Sequence, residues 1–206
     1  KIIGFGERLK DKVENLDPEV NIYASKMQES ATRMQNMIQE LLQYSLVFAK
    51  GDPFRSIDLN KVVKEVLEDL EVSIRDSHGI VHTEPLPTVE ADPTQMRQLF
   101  QNLISNAIKF KNEKEPPKVE LVAKPCEKGL WDIFVKDNGI GFDSQYDSSI
   151  FQPFFRLHGR NEYDGSGIGL AICKKIVDRH HGKIKAVSSE NEGTTFQVTL
   201  PIKQVS

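Results

Sequence analysis

A chain of 206 residues with 38% hydrophobic and 28% charged residues has the composition of a folded protein, with room for one full α/β domain and a smaller element. The formal net charge of -3 excludes a strong electrostatic pull towards nucleic acid or anionic lipid. No apolar run approaches the ~20 residues that cross a bilayer, so no membrane contact is expected of this stretch. Cys126 and Cys173 fit no metal spacing and are expected to be reduced thiols in a cytoplasmic protein.

The first fifty residues differ in texture from the rest, being rich in Glu, Gln, Lys and Met. From Val20 onwards Ala24, Met27, Ala31, Met34, Ile38, Leu41, Ser45 and Phe48 step alternately by four and three. That is a heptad seam with one polar member, suited to a helix packing in a bundle or against a copy of itself. Ahead of it Ile2, Ile3, Phe5, Leu9, Val13 and Leu16 suggest the tail of another helix, with Asp17 capping the second and Pro18 at its first position. Residues 1–50 are therefore expected to form a partial helical hairpin that builds a dimeric bundle. A single helix packed on the neighbouring domain is the alternative.

Lys50-Gly51-Asp52-Pro53 stops the helix and opens the second domain, residues 53–206. Phe54–Leu59 is expected as a short strand, and a helix begins at Asp58 or Asn60 and runs to about Arg75. Strands follow at Gly79–Thr83 and Val89–Ala91. Asp92 is a natural N-cap and Pro93 an N1 residue for a long helix to about Phe110. Leu99, Leu103, Ala107 and Phe110 would face the sheet. Strands over Val119–Ala123 and Trp131–Lys136 flank a turn at Cys126–Gly129. An irregular stretch spans Ser144–Asp164, and a helix covers Ile168–His180. His180 and His181 are expected to stabilise that helix's C-terminus. A hairpin of Lys183–Ser188 and Thr195–Leu200 closes the chain. The mixed order of strands, hairpins and helices predicts an α+β fold, a two-layer sandwich, and not a doubly wound parallel sheet.

Three segments carry chemistry. Asn102 and Asn106 stand one helical turn apart, so both amides point the same way. Their oxygens suit a Mg²⁺ that keeps most of its waters and shares substrate phosphates. Asp137-Asn138-Gly139-Ile140-Gly141 follows a strand directly; its carboxylate can accept from an exocyclic amine, and its glycines admit close backbone approach. Gly165-Ser166-Gly167-Ile168-Gly169-Leu170 opens a helix, where free N–H groups make an anion site. Each alone also fits a plain structural role: a solvated helix face, a strand exit, a helix entry.

In order, Asn102–Asn106, Asp137–Gly141, Ile150-Phe151-Gln152-Pro153-Phe154-Phe155-Arg156 and Gly165–Leu170 resemble the four boxes of sensor histidine kinase catalytic domains, a fold shared with gyrase, Hsp90 and MutL ATPases. Gly193-Thr194-Thr195-Phe196 resembles their last glycine-threonine turn. The resemblance covers about Pro53 to Ile202, and residues 1–50 look like the family's dimerisation hairpin. It implies ATP and Mg²⁺ as cofactors. Asp137 would take the adenine amine, with Gly139 and Gly141 lining the base pocket. Asn106 would hold the metal and Asn102 would support metal and phosphates. Lys109 would reach a phosphate, while Gly165, Gly167, Gly169 and Leu170 would give the phosphates close backbone access. Arg156 would meet the terminal phosphate, and Phe151–Asp164 would be a mobile lid.

Hydrolases of this fold group carry a Glu where this chain has Asn102, and an amide cannot take a proton at neutral pH. The resemblance therefore implies transfer to a protein nucleophile. Family members use a His on the first dimerisation helix; by register it would lie about eight residues before Lys1, and no His precedes His78. The implied partners are a second copy of the chain, a response regulator receiver domain and an upstream sensor domain. The alternatives are an ATP-hydrolysing clamp and a non-catalytic dimeric scaffold.

Overall fold

The computed structural model describes residues 18–49, 51–127, 129–157, 163 and 165–204. It opens with helix α1 (Pro18–Ala49). The helix expected ahead of it and the cap at Asp17 lie outside the described residues. Along the heptad seam Ala24 and Ala31 are buried, whereas Val20, Met27, Met34, Ile38 and Leu41 are exposed, as are Ile22, Tyr23, Met37 and Leu42.

Contacts divide the chain after Gln43 into two compact units. The last turns of α1 therefore belong to the second unit. Val47 joins its core, and the Val47 carbonyl accepts from Gln95 Nε2 at 2.7 Å. Lys175 Nζ donates to the Tyr44 carbonyl at 2.8 Å and sits 4.1 Å from the Tyr44 ring centre. The boundary expected at residues 50–53 lies beyond this division.

The second unit is an α+β sandwich. Strand β1 (Arg55–Asp58) pairs antiparallel with β3 (Thr88–Ala91) in a small two-stranded sheet. The main sheet has the order β2-β4-β5-β7-β6, formed by Ile80–Thr83, Lys118–Pro125, Leu130–Asp137, Gly193–Pro201 and Lys183–Ser189 in that order. Only the β2–β4 pair is parallel. Burial alternates along the strands as period two requires: Ile133, Val135 and Asp137 on β5 and Ile184, Ala186 and Ser188 on β6 face inward.

Helices α2 (Leu59–Asp69), α4 (Pro93–Lys109) and α5 (Gly169–Arg179) supply the apolar faces that complete the core. In α4 Met96, Leu99, Phe100, Leu103 and Ile104 are fully buried, a face at helical spacing. Asp92 caps α4 as expected, its carboxylate accepting from Gln95 N at 3.1 Å, and Asp58 caps α2 by accepting from Asn60 N at 2.9 Å.

Two expectations are corrected. The helix expected to run to Arg75 breaks at Leu70, and a short α3 (Glu71–Asp76) follows. Leu70 is itself buried, so the chain bends there to carry its side chain inward. Phe110 is half-buried and ends α4 instead of extending its inner face. His180 stabilises the end of α5 as expected, and does so as a neutral ring. It is fully buried, its Nε2 accepts from Asp92 N at 3.0 Å, and its Nδ1 donates to the Ile176 carbonyl at 2.7 Å. That pattern is a neutral ring, and burial holds its pKa below the ordinary value. It ties the end of α5 to the start of α4.

Arg179 reinforces the same junction. It bonds Asp92 Oδ2 and Gln95 Oε1, each at 2.8 Å, and the Asp52 carbonyl at 2.9 Å. A Cβ at Gly51 would lie 2.1 Å from its Cζ, so any larger residue there would displace the guanidinium. Cys126 is exposed and Cys173 buried, and both are free thiols. Among the described residues no helix is long and apolar enough to cross a membrane.

Candidate functional site

The sequence motifs converge on the C-terminal half of α4. Asn102 Nδ2 donates to the Gly169 carbonyl at 3.2 Å, which joins the asparagine pair to the start of α5. One turn on, Asn106 is half-buried and makes no side-chain hydrogen bond among the described residues. Lys109 lies beside Gly165, whose added Cβ would be 3.0 Å from Nζ, and its ammonium is 4.7 Å from the Phe110 ring centre. The Phe110 carbonyl accepts from Ile140 N at 2.9 Å and brings in the segment after β5.

Asp137 ends β5 on the inner face. Its Oδ1 accepts from Gly139 N at 2.9 Å and from Thr194 N at 3.1 Å, while Oδ2 takes no hydrogen bond among the described residues. One oxygen is thus saturated by the backbone and the other is left as an acceptor. Burial pushes the carboxyl up from 3.8 to about 6, against the lowering effect of the two N–H donors.

The glycines of this segment pack against backbone. A Cβ on Gly139 would lie 2.3 Å from the Phe110 carbonyl oxygen. Gly141 has φ +59, and its Cβ would lie 1.9 Å from the Ser189 carbonyl oxygen. Close approach of protein to protein accounts for both.

The glycine run before α5 is sharply turned, with φ +136 at Gly165 and +78 at Gly167. The N-terminus of α5 has no side-chain cap, which leaves its first-turn N–H groups and the positive end of the helix dipole for an anion. Gly169 packs on Asn102, and Leu170 rests half-buried against the core.

Lid residues 151–157 and 163 are described; the remainder of Phe151–Asp164 lies outside the described residues. Ile150 is buried, and Phe151 meets Phe196 edge-on at 6.4 Å between ring centres. Phe155 packs on the core, but Phe154 is exposed with φ +66. Phe154 N donates to the Gly167 carbonyl at 3.0 Å. Arg156 donates to the carbonyls of Gly165 and Tyr163, so it lies along the glycine run.

Thr194 and Ser188 belong to this site although the sequence reading gave neither a role. Thr194 is buried beside Asp137, and Ser188 pairs with it across β6 and β7. The glycine-threonine turn was the available signal. Ser188 gave none, because an inward serine near a strand end has no motif of its own.

This architecture, an α+β sandwich whose motif segments meet at one end of a helix, is that of histidine kinase catalytic domains. The chain belongs to the family described as histidine kinase-, DNA gyrase B-, and HSP90-like ATPase, which it matches over residues 91–204. It is 42% identical over 189 residues to cyanobacterial phytochrome A of Nostoc sp., covering 92% of this chain and 24% of that protein. It is 32% identical over 200 residues to sensor protein kinase WalK of Staphylococcus aureus, covering 94% of this chain and 47% of that one. Among solved structures, histidine kinase ThkA in complex with response regulator protein TrrA matches with a TM-score of 0.69 at 27% identity, over 98% of this chain and 57% of ThkA. The chain spans about a quarter of the length of the phytochromes it matches.

Proposed function

We propose that the chain is the ATP-binding part of a two-component protein-histidine kinase. It would pass the γ-phosphoryl group of ATP to a His outside residues 1–206, and from there to an Asp of a response regulator. The observation that carries this reading is the meeting of the asparagine pair, the Asp137 segment and the glycine run on the last turns of α4.

On the base side Asp137 Oδ2 accepts the exocyclic amine of adenine, while Oδ1 stays fixed by Gly139 N and Thr194 N. On the phosphate side the uncapped N-terminus of α5, from Gly169 to Leu170, faces the anionic chain with Gly165 and Gly167 giving close access. Lys109 adds a positive charge there. Arg156 exchanges its carbonyl partners at Gly165 and Tyr163 for the terminal phosphate when nucleotide binds.

Among the described residues no group of three or more His, Cys, Asp or Glu side chains could hold a metal by itself. The donor set fits a hard cation carried in with phosphates: Asn102 directs Nδ2 to Gly169 and leaves Oδ1 as an acceptor, and Asn106 offers a second amide oxygen. Mg²⁺ bound with ATP would spread the charge of the transferring group. Neither amide can take a proton from water, which supports transfer over hydrolysis and weighs against the clamp reading.

The likeness to a kinase in complex with its response regulator supports that class of partner, and the exposed apolar residues of α1 support a homodimer through the helical hairpin, with a sensor domain upstream. The test is to incubate the longer protein that includes the upstream segment with γ-labelled ATP. Acid-labile, alkali-stable label on the protein is expected, absent in the Asp137→Ala variant. Free phosphate release without labelled protein would overturn the kinase reading in favour of a hydrolase.

A further inference from the structure

Asp137, Thr194 and Ser188 form one row across the inner face of β5, β7 and β6. The Ser188 hydroxyl makes three contacts, to the Gly193 carbonyl at 2.9 Å, to Thr194 Oγ1 at 3.0 Å and from Phe142 N at 2.9 Å. A serine hydroxyl has one proton and two lone pairs. The Gly193 carbonyl can only accept and the Phe142 amide can only donate. One proton arrangement therefore satisfies all three: Ser188 donates to Gly193, and the Thr194 hydroxyl donates to Ser188. Ser188 is buried, so water does not compete freely for these bonds.

We propose that Ser188 is a positioning residue that fixes the proton of Thr194 and thereby sets nucleobase preference. With its proton committed to Ser188, Thr194 Oγ1 is an acceptor only. Thr194 N binds Asp137 Oδ1, and the remaining carboxylate oxygen, Oδ2, is an acceptor as well. The row then offers two acceptors and no hydroxyl donor, which suits the 6-amino group of adenine and leaves the oxygen of a 6-oxo purine without a donor. This inference rests on the reading of Asp137 as the base-reading carboxylate. Phe142 follows the Asp137 segment directly, so the same hydroxyl also holds the loop that leaves the base site.

The test compares binding of magnesium ATP and magnesium ITP by calorimetry. The parent chain is expected to prefer ATP by about ten- to a hundredfold, the penalty for a buried oxygen left without a donor. Ser188→Ala releases the Thr194 hydroxyl, which can then donate to the 6-oxo group. The preference is expected to narrow by about tenfold, the share of one hydrogen bond. Adding Thr194→Val removes that donor and should return ITP affinity to the parent's level, which a general loosening of the hairpin would not do. Thr194→Val alone, which keeps Ser188, should leave ITP rejected. An unchanged ATP-to-ITP ratio in Ser188→Ala overturns the inference, as does ITP binding that stays strengthened in the double variant. If those variants behave so while Asp137→Ala still abolishes ATP binding, the base-reading role of Asp137 survives alone. Failure of the parent to bind either nucleotide overturns both.

Discussion

Asp137 holds an ionised carboxylate in a buried position with only one oxygen compensated. A folded-state pKa of about 6 against an ordinary 3.8 means that the folded chain binds the proton more tightly than the unfolded chain does. The contribution of Asp137 is thus most favourable below pH 3.8, declines between 3.8 and 6, and is a constant cost above 6. From the size of the shift the cost is about 2–3 kcal/mol at neutral pH. Asp137→Asn keeps an oxygen for Gly139 N and Thr194 N but loses the charge. Urea denaturation should find this variant more stable than the parent at pH 7.5 by about 2 kcal/mol and nearly equal to it at pH 4. Equal stability at both pH values would show that the carboxylate is not desolvated. Such a site spends stability on an acceptor that only a ligand's N–H can use.

At the scale of elements, much of the architecture was legible because each signal was local. Asp92-Pro93 announced the start of α4, the glycine run from 165 to 169 announced the start of α5, and the segments Lys183–Ser188 and Thr195–Leu200 announced the closing hairpin. What was not legible depended on partners distant in sequence. The neutral state of His180 follows from the Asp92 amide, 88 positions away, and the bend at Leu70 from the core that receives its side chain. The glycines at 139 and 141 were read as room for a base, yet the backbone of Phe110 and Ser189 is what excludes a side chain there. Helix α1 shows the same limit. Its heptad seam was plain, but in a single chain Met27 is 66% and Met34 55% exposed. Covering such a face is the natural role of a second copy. Met27→Glu with Met34→Glu is expected to convert dimers into monomers in light scattering, while dimers that persist would show that α1 does not carry the interface.

For the whole molecule, the order of four motifs along the chain mattered more than any one of them. Each motif has a bland explanation by itself, and the sandwich brings the Asp137 segment and the glycine run to the asparagine pair on the last turns of α4, where Asn102 and Lys109 touch the glycine run and Phe110 the Asp137 segment. The candidate site was legible as a list of residues; its internal wiring through Thr194 and Ser188 was not, because a hydrogen bond between neighbouring strands leaves no spacing to read. The most direct test is calorimetric titration of ATP with Mg²⁺ into this chain and into its Asp137→Ala variant at pH 7.5. The parent should bind, and the variant should lose at least about fiftyfold in affinity, consistent with removal of a charged acceptor. Equal binding by the two, or no binding by the parent, would contradict the assignment of Asp137 and the site built around it.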